Sequence, residues 1–227
     1  MNEASVSQEA TTSGWVTGSP DYACNCLNER KELITEEIIP AMDYTLKHPL
    51  QNAWTLWYFD SDRSQSWVDN MKEIASFQTV EDFWSLYNHI KPASDIRQGN
   101  DYSLFKKGVK PMWEDPANKK GGRWLMNLDR KQRSAELDRY WLDILLCLIG
   151  EAFENSDEIC GATVNIRGKG DKIGIWTSDA SNTQAVLEIG RKIKERLRIP
   201  NNTKLVYQLH DDQMAKNSSV TKNAYTL

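Results

Sequence analysis

Ala162-Thr163-Val164-Asn165-Ile166-Arg167, then Gly168-Lys169-Gly170-Asp171, then Lys172-Ile173-Gly174-Ile175-Trp176 is the stretch that decides how this chain folds. Its first six residues alternate, with Ala162, Val164 and Ile166 on one side and Thr163, Asn165 and Arg167 on the other. Two such runs around a glycine-bearing turn read as a β-hairpin. With the four turn residues as the loop, Arg167 pairs with Lys172. Parity then places Asn165, Arg167, Lys172 and Trp176 on a single face, opposite the aliphatic one, with Lys169 reaching out from the turn. A planar guanidinium, an ammonium and an indole side by side suit a phosphorylated aromatic ligand. The same residues would equally make a solvated sheet face with ordinary charge pairing.

Working outward, strand patterns recur at Ala53–Phe59, Ser103–Lys107, Gly122–Leu128 and Lys204–His210. Three helices interrupt them. Val80–Ile90 is capped by Thr79, carries Glu81 and Asp82 in its first turn, and stops before Pro92. Ala135–Glu151 follows Ser134 and places Trp141, Ile144, Leu145 and Leu148 on one face. Thr183–Leu197 repeats Val186, Ile189, Ile193 and Leu197 at helical spacing before Pro200. Hairpin-joined strands with separate helices predict an α+β fold, an antiparallel sheet with helices packed on one face. Residues 1–44 are rich in Ser, Thr, Asn and Glu and predict a disordered N-terminal tail, with a short helix near Lys31–Ile39; residues 45–227 form the folded domain.

Composition narrows the function. At 227 residues and 40% hydrophobic content the chain holds one well-buried domain. Its longest apolar run, Ile144 to Ile149, is far short of a membrane span, and no secretory signal opens the chain. The net charge of −4 argues against a protein that coats nucleic acid through its backbone, so phosphate recognition must be local. Cys24, Cys26, Cys147 and Cys160 make no disulfide framework, as expected for reduced thiols in the cytosol or nucleus. No His or second Cys pair stands near Cys24 and Cys26 at a metal-binding spacing, so no metal is expected. Clustered metal-binding carboxylates and a Gly-rich cofactor loop after a strand are both missing, and His48, His89 and His210 are scattered. The chain therefore reads as a binding module without cofactor rather than an enzyme.

Nine tryptophans supply the ligand signal. Trp67 follows Asp62-Arg63-Ser64-Gln65-Ser66, and Trp113 sits in Pro111-Met112-Trp113-Glu114-Asp115-Pro116. An indole on a polar or proline-bracketed loop either covers the core or stacks on a flat ligand. Glu114 follows Trp113 directly. A carboxylate accepts two hydrogen bonds side by side, and guanine offers two adjacent donors, N1–H and the exocyclic amine, where adenine has no such pair. Methylation at N7 would add a positive charge that indoles attract. Taken alone, Glu114 would also serve as a solvated loop acid or a helix cap.

These motifs together resemble the mRNA cap-binding translation initiation factor 4E family. The match runs from His48 to the C-terminus through His48-Pro49-Leu50, Trp54-Thr55-Leu56-Trp57, Thr79-Val80-Glu81-Asp82-Phe83-Trp84, Tyr87-Asn88-His89-Ile90, Asp101-Tyr102-Ser103-Leu104-Phe105, Pro111-Met112-Trp113-Glu114-Asp115, Gly121-Gly122-Arg123-Trp124, Leu145-Leu146-Cys147-Leu148-Ile149-Gly150-Glu151 and Lys169-Gly170-Asp171-Lys172-Ile173. The resemblance implies a curved eight-stranded antiparallel sheet with three helices on its convex face. It implies that 7-methylguanine stacks between Trp67 and Trp113, that Glu114 takes its N1 and N2 edge, and that Trp176 contacts the N7-methyl. Arg167 and Lys172 would hold the triphosphate, with Asn165, Arg123 and Lys216 in support. Ser219 matches a phosphorylation position with altered flanks.

On the convex side, Leu142, Leu146 and Ile149 lie outside the core-facing stripe of the second helix, an excess of apolar surface. By resemblance, His48, Pro49, Val80, Trp84, Leu142, Asp143 and Leu146 form a groove for a Tyr-x-x-x-x-Leu-hydrophobic helix of the initiation scaffold factor 4G or of 4E-binding proteins. Without the resemblance, these residues would simply finish the core. Gln65 stands where relatives often carry Lys, and Asp143 where many carry Glu. The implied role is cap-dependent initiation in the cytoplasm, with room for a nuclear pool. The alternative is a cap-binding paralogue that represses translation through a 4E-binding-type partner.

Overall fold

The sheet is built from β1 (Pro49–Phe59), β2 (Met71–Thr79), β3 (Asp101–Lys106), β4 (Gly122–Leu128), β5 (Ile159–Asn165), β6 (Asp171–Thr177), β7 (Leu205–Leu209) and β8 (Asn223–Thr226). Edge to edge it runs β2-β1-β3-β5-β6-β4-β7-β8, every neighbouring pair antiparallel. A computed structural model of the chain describes residues 46–200, 203–211 and 223–227. The expected tail, its short helix, Cys24, Cys26, Lys216 and Ser219 lie outside the described residues.

Opposite residues in antiparallel ladders share a face, so each row of partners is a line of side chains across the sheet. One row runs Ala75, Leu56, Leu104, Ala162, Ile175, Trp124, Tyr207, Tyr225. It is apolar from edge to edge and packs under the helices. The neighbouring row runs Thr55, Phe105, Gly161, Trp176, Arg123, Gln208, Asn223 and faces the other way. The curved sheet thus gives one face to the core and the other to a polar and aromatic surface.

Three long helices cover the apolar face: α2 (Val80–His89), α3 (Asp138–Ile149) and α4 (Thr183–Arg196); a single turn, α1 (Trp67–Asn70), precedes β2. Thr79 caps α2 as expected, its hydroxyl accepting from the Asp82 backbone N–H at 3.2 Å. Asn182 caps α4 through the Ala185 N–H. Phe83, Trp141, Ile144, Leu145, Leu148, Val186, Ile189 and Ile193 bury against the apolar row. Trp54, Trp124 and Trp141 are in the core, and the Trp124 indole N–H donates to Val186 O at 2.8 Å. Trp57 is half-buried and belongs to the opposite face, in a row with Ser103, Thr163 and Gly174.

Four expectations change. The second helix begins at Asp138, not Ala135, because Arg133–Leu137 forms a wider π turn that directs Arg133 to Asp171 on the sheet. It ends at Ile149, where Gly150 caps it and Glu151 turns to φ 49°. The hairpin register is Asn165 with Lys172 rather than Arg167 with Lys172, because the Asp171 carboxylate accepts the Arg167 backbone N–H at 2.9 Å and turns the chain out of the ladder early. The face assignment survives, since the shift is by two. β2 and β8 are additional strands. In β2, Leu56 pairs with Ala75 but Trp57 with Glu73, so Ile74 is the extra residue of a bulge and the alternation reverses midway.

Candidate functional site

On the polar face a cleft of about 480 Å³ opens, lined by Trp67, Asp101, Ser103, Met112, Trp113, Glu114, Arg123, Thr163, Asn165, Arg167, Lys172 and Trp176. That volume lies within the range of small-ligand sites, about 300–1,000 Å³, and is large enough for a nucleotide. All eight described residues named from sequence as ligand contacts are here. Parity explains the floor: Asp101, Asn165 and Lys172 form one row, Ser103 and Thr163 the next, Trp176 and Arg123 the third.

Two loops carry the aromatic walls. Trp67 opens α1, where Ser66 Oγ accepts from the Asp69 N–H and Phe59 lies 6.0 Å away, ring to ring. Asp62 folds this loop by accepting from the backbone N–H and hydroxyl of Ser64, and those bonds hold its carboxyl below its usual range. Buried Asn100 ties the loop to the sheet, accepting from Ser61 N–H at 2.9 Å and donating to the Tyr58 hydroxyl. Trp67 remains 48% exposed, which is far more than an indole serving the core would leave in water.

The Trp113 loop is built around Asn118, which is fully buried and donates at 2.8 Å to both Lys110 O and Met112 O. Asp115 accepts from the Lys110 and Ala117 N–H groups. Trp113 packs on Phe105, Cys160 and Trp176, a small apolar cluster beneath the cleft. Burial pushes the Cys160 thiol up to about 12, so it stays protonated, and its S–H donates to Ala117 O. Glu114 is exposed and makes no hydrogen bond or ion pair with the described residues. Glu114 thus lines the cleft with its carboxylate unpaired by the described residues, while Asp101 is engaged by Arg167.

The cationic end is pre-organised. Arg167 donates to both Asp101 oxygens, at 2.5 and 3.1 Å. Burial raises the Asp101 carboxyl and the guanidinium pulls it back. Asp171, wholly buried, accepts from Arg133 Nε and Nη2 at 2.6 Å each and from Arg167 N–H. Arg133 also donates to Arg167 O at 2.8 Å, so the loop bearing Arg167 is clamped from below. Burial lowers the Arg123 pKa, and its guanidinium is short of partners, with Gln208 Oε1 3.5 Å away. Arg123 Nε, Trp176 Nε1 and Thr163 Oγ1 are buried with no hydrogen-bond partner among the described residues. All three belong to residues that line the cleft.

Sequence reasoning missed Asp101, Ser103, Met112 and Thr163 as lining residues. Starting β3 at Asp101 would have placed Asp101 beside Asn165 on the cleft face. Arg133 acts through long-range bonds, and Asn118 and Asp171 through side-chain bonds that close their own loops; none of these leaves a periodic pattern.

The expected partner residues lie across the sheet. His48 N–H donates to Glu81 at 2.9 Å and its ring meets the same carboxylate, which those bonds hold below its usual range. His48 O accepts from Val80 N–H, and Pro49 pairs with Thr79. Trp84 and Leu146 are each 37% exposed, Leu142 is half-buried, and Arg139 reaches Asp143 at 3.6 Å. Among the described residues no cluster of His, Cys, Asp and Glu could hold a metal ion, and no helix is long and apolar enough to cross a membrane.

A family model described as eukaryotic initiation factor 4E matches residues 49–225. Eukaryotic translation initiation factor 4E1 of Drosophila melanogaster is 60% identical over 185 residues, covering 82% of this chain and 71% of that protein. The human eukaryotic translation initiation factor 4E is 50% identical over 200 residues, 88% of this chain and 92% of that protein. Among solved structures, Ascaris suum eIF4E-3 in complex with an m2,2,7G cap aligns with a TM-score of 0.76 at 49% identity, covering 80% of this chain and 99% of that one. C. elegans eIF4E-3 in complex with the 4E-binding protein Mextli and a cap analog gives 0.74 at 48%, covering 80% and 100%.

Proposed function

The chain belongs to the eukaryotic initiation factor 4E family, and on that premise we propose that it binds the 7-methylguanosine cap at the 5′ end of mRNA and recruits the initiation scaffold factor to start cap-dependent translation. The observation that carries this is the cleft itself. Two loop indoles, an unpaired carboxylate and an oriented guanidinium converge on one nucleotide-sized space. Guanine stacks on Trp67 and Trp113, each stacking contact contributing about 1–3 kcal/mol. Glu114 accepts N1–H and the exocyclic amine, which selects guanine over adenine. The N7-methyl makes the base cationic, adding about 0.5–2 kcal/mol against the indoles and strengthening the N1–H donor. Trp176 closes the methyl side. Arg167 and Lys172 take the phosphates, supported by Asn165, Arg123 and Lys216.

No bond is made or broken in this reading, and no cofactor is involved. The opposite face takes a Tyr-x-x-x-x-Leu-hydrophobic helix from the scaffold factor 4G or a 4E-binding protein, with Trp84, Leu142 and Leu146 as the apolar contacts. The initiation-factor names of the relatives support recruitment over the repressor alternative. The site of action is the cytoplasm, with a nuclear pool, and Ser219 is the proposed phosphosite.

Retention on immobilised 7-methyl-GTP, competed by free GTP, tests the cleft. Trp113→Ala and Glu114→Ala should each abolish retention with melting temperatures near that of the parent chain; undiminished retention would sink the proposal. Trp84→Ala should lose the helical peptide and keep the cap.

A further inference from the structure

The cleft's inner wall has a support that the function above does not assign. His210 follows β7, is fully buried, and lies against Trp176 with ring centroids 4.3 Å apart and planes at 37°. On the other side Phe105 meets the same indole edge-on, at 5.4 Å and 76°. Trp176 is therefore clamped between two rings and keeps only 4% of its surface exposed. The Gly122 backbone is within hydrogen-bonding reach of the ring, and no side chain among the described residues bonds its nitrogens. The aromatic face is the part that meets Trp176. Burial and the neighbouring Arg123 guanidinium push its pKa down to about 3, so the ring is neutral at physiological pH and places no charge behind the indole.

We propose that His210 is a positioning residue for cap recognition: its ring fixes the Trp176 indole at the depth and tilt that distinguish 7-methylguanine from guanine. This rests on the cleft being the cap site. The geometry separates two tasks in one pocket. Phosphate binding belongs chiefly to Arg167, held by Asp101, and to Lys172, whereas methyl discrimination depends on where Trp176 stands; Arg123 lies between, opposite Trp176 in the ladder and beside His210. An aliphatic side chain can fill the same volume but cannot present a ring to the indole.

The test compares dissociation constants for 7-methyl-GTP and GTP, measured by tryptophan fluorescence on the full chain carrying His210→Leu or His210→Phe. Both replacements fill the space with an apolar side chain and give up the Gly122 contact alike, so they differ in the ring alone, and thermal melts will show that both fold. His210→Phe should keep the ratio of the two constants; His210→Leu should lower it about fivefold, chiefly by weakening the methylated ligand. An unchanged ratio in His210→Leu, or equal falls in both variants, overturns the proposal. If the unsubstituted chain itself shows no preference for 7-methyl-GTP, the cap assignment has failed instead.

Discussion

Arg133→Met removes one partner from a carboxylate that has nowhere else to turn. Asp171 is wholly buried and accepts two 2.6 Å bonds from Arg133. Breaking a buried pair from one side typically costs about 3–5 kcal/mol, because the remaining charge is stranded. The Arg133 side chain is 22% exposed, so some water can reach the gap and the lower end, about 3 kcal/mol, is expected. At this chain length that is a fall of about 6–12 °C in melting temperature. Adding Asp171→Asn to Arg133→Met removes the stranded charge while the replacement amide oxygen still accepts the Arg167 N–H; stability should then recover by about 1–2 kcal/mol. Urea unfolding followed by tryptophan fluorescence measures both. Binding supplies a second readout, since Arg133 also holds Arg167 O. The affinity for 7-methyl-GTP should fall severalfold while that for 7-methylguanosine holds. A loss under about 1 kcal/mol for Arg133→Met, or a double variant no more stable than the single one, would refute the clamp.

Arg167→Ala should weaken 7-methyl-GTP far more than the bare nucleoside, and the difference should shrink as salt rises, which isothermal titration at two ionic strengths will show. Asn118→Ala deletes two buried donor bonds and should cost about 1–3 kcal/mol, with 7-methyl-GTP affinity falling alongside because the Trp113 loop loosens; intact affinity would deny Asn118 that role. His210 gives a pH signature. Its folded pKa of about 3 lies below the ordinary 6.5, so the unfolded chain binds the extra proton between those values. The stability it contributes is complete above pH 6.5 and is lost as pH falls toward 3. Relative to His210→Phe, the parent chain should lose up to about 1.4 kcal/mol per pH unit across that window; parallel pH profiles would show that His210 titrates normally.

What could be read in advance was whatever depended on backbone period. The two-residue repeat put Asn165, Arg167, Lys172 and Trp176 on one face, and that held even though the pairing moved by two. Helix α2 was legible from Thr79 and the acids after it, because a cap is a local interaction. The register was not, since it turns on Asp171 reaching Arg167 N–H and on Arg133 arriving from a distant turn. β2 hid behind its bulge at Ile74, which breaks the two-residue alternation across its nine residues. Asp101 was lost to a strand drawn two residues short. Nothing near His210 in the chain announces that its ring lies against Trp176.

The cleft takes residues from Trp67 through Trp176, on β3, β4, β5, β6 and three connecting segments, so no single hairpin contains it. The site therefore exists only when the central strands have all found their partners. By mass action, a ligand at a hundredfold its dissociation constant adds about 2.7 kcal/mol to the free energy of unfolding. Capped message would then serve this protein as a stabiliser in the cell as well as a target. Chains without cap would be the first to open under heat, and protein abundance would track the supply of message.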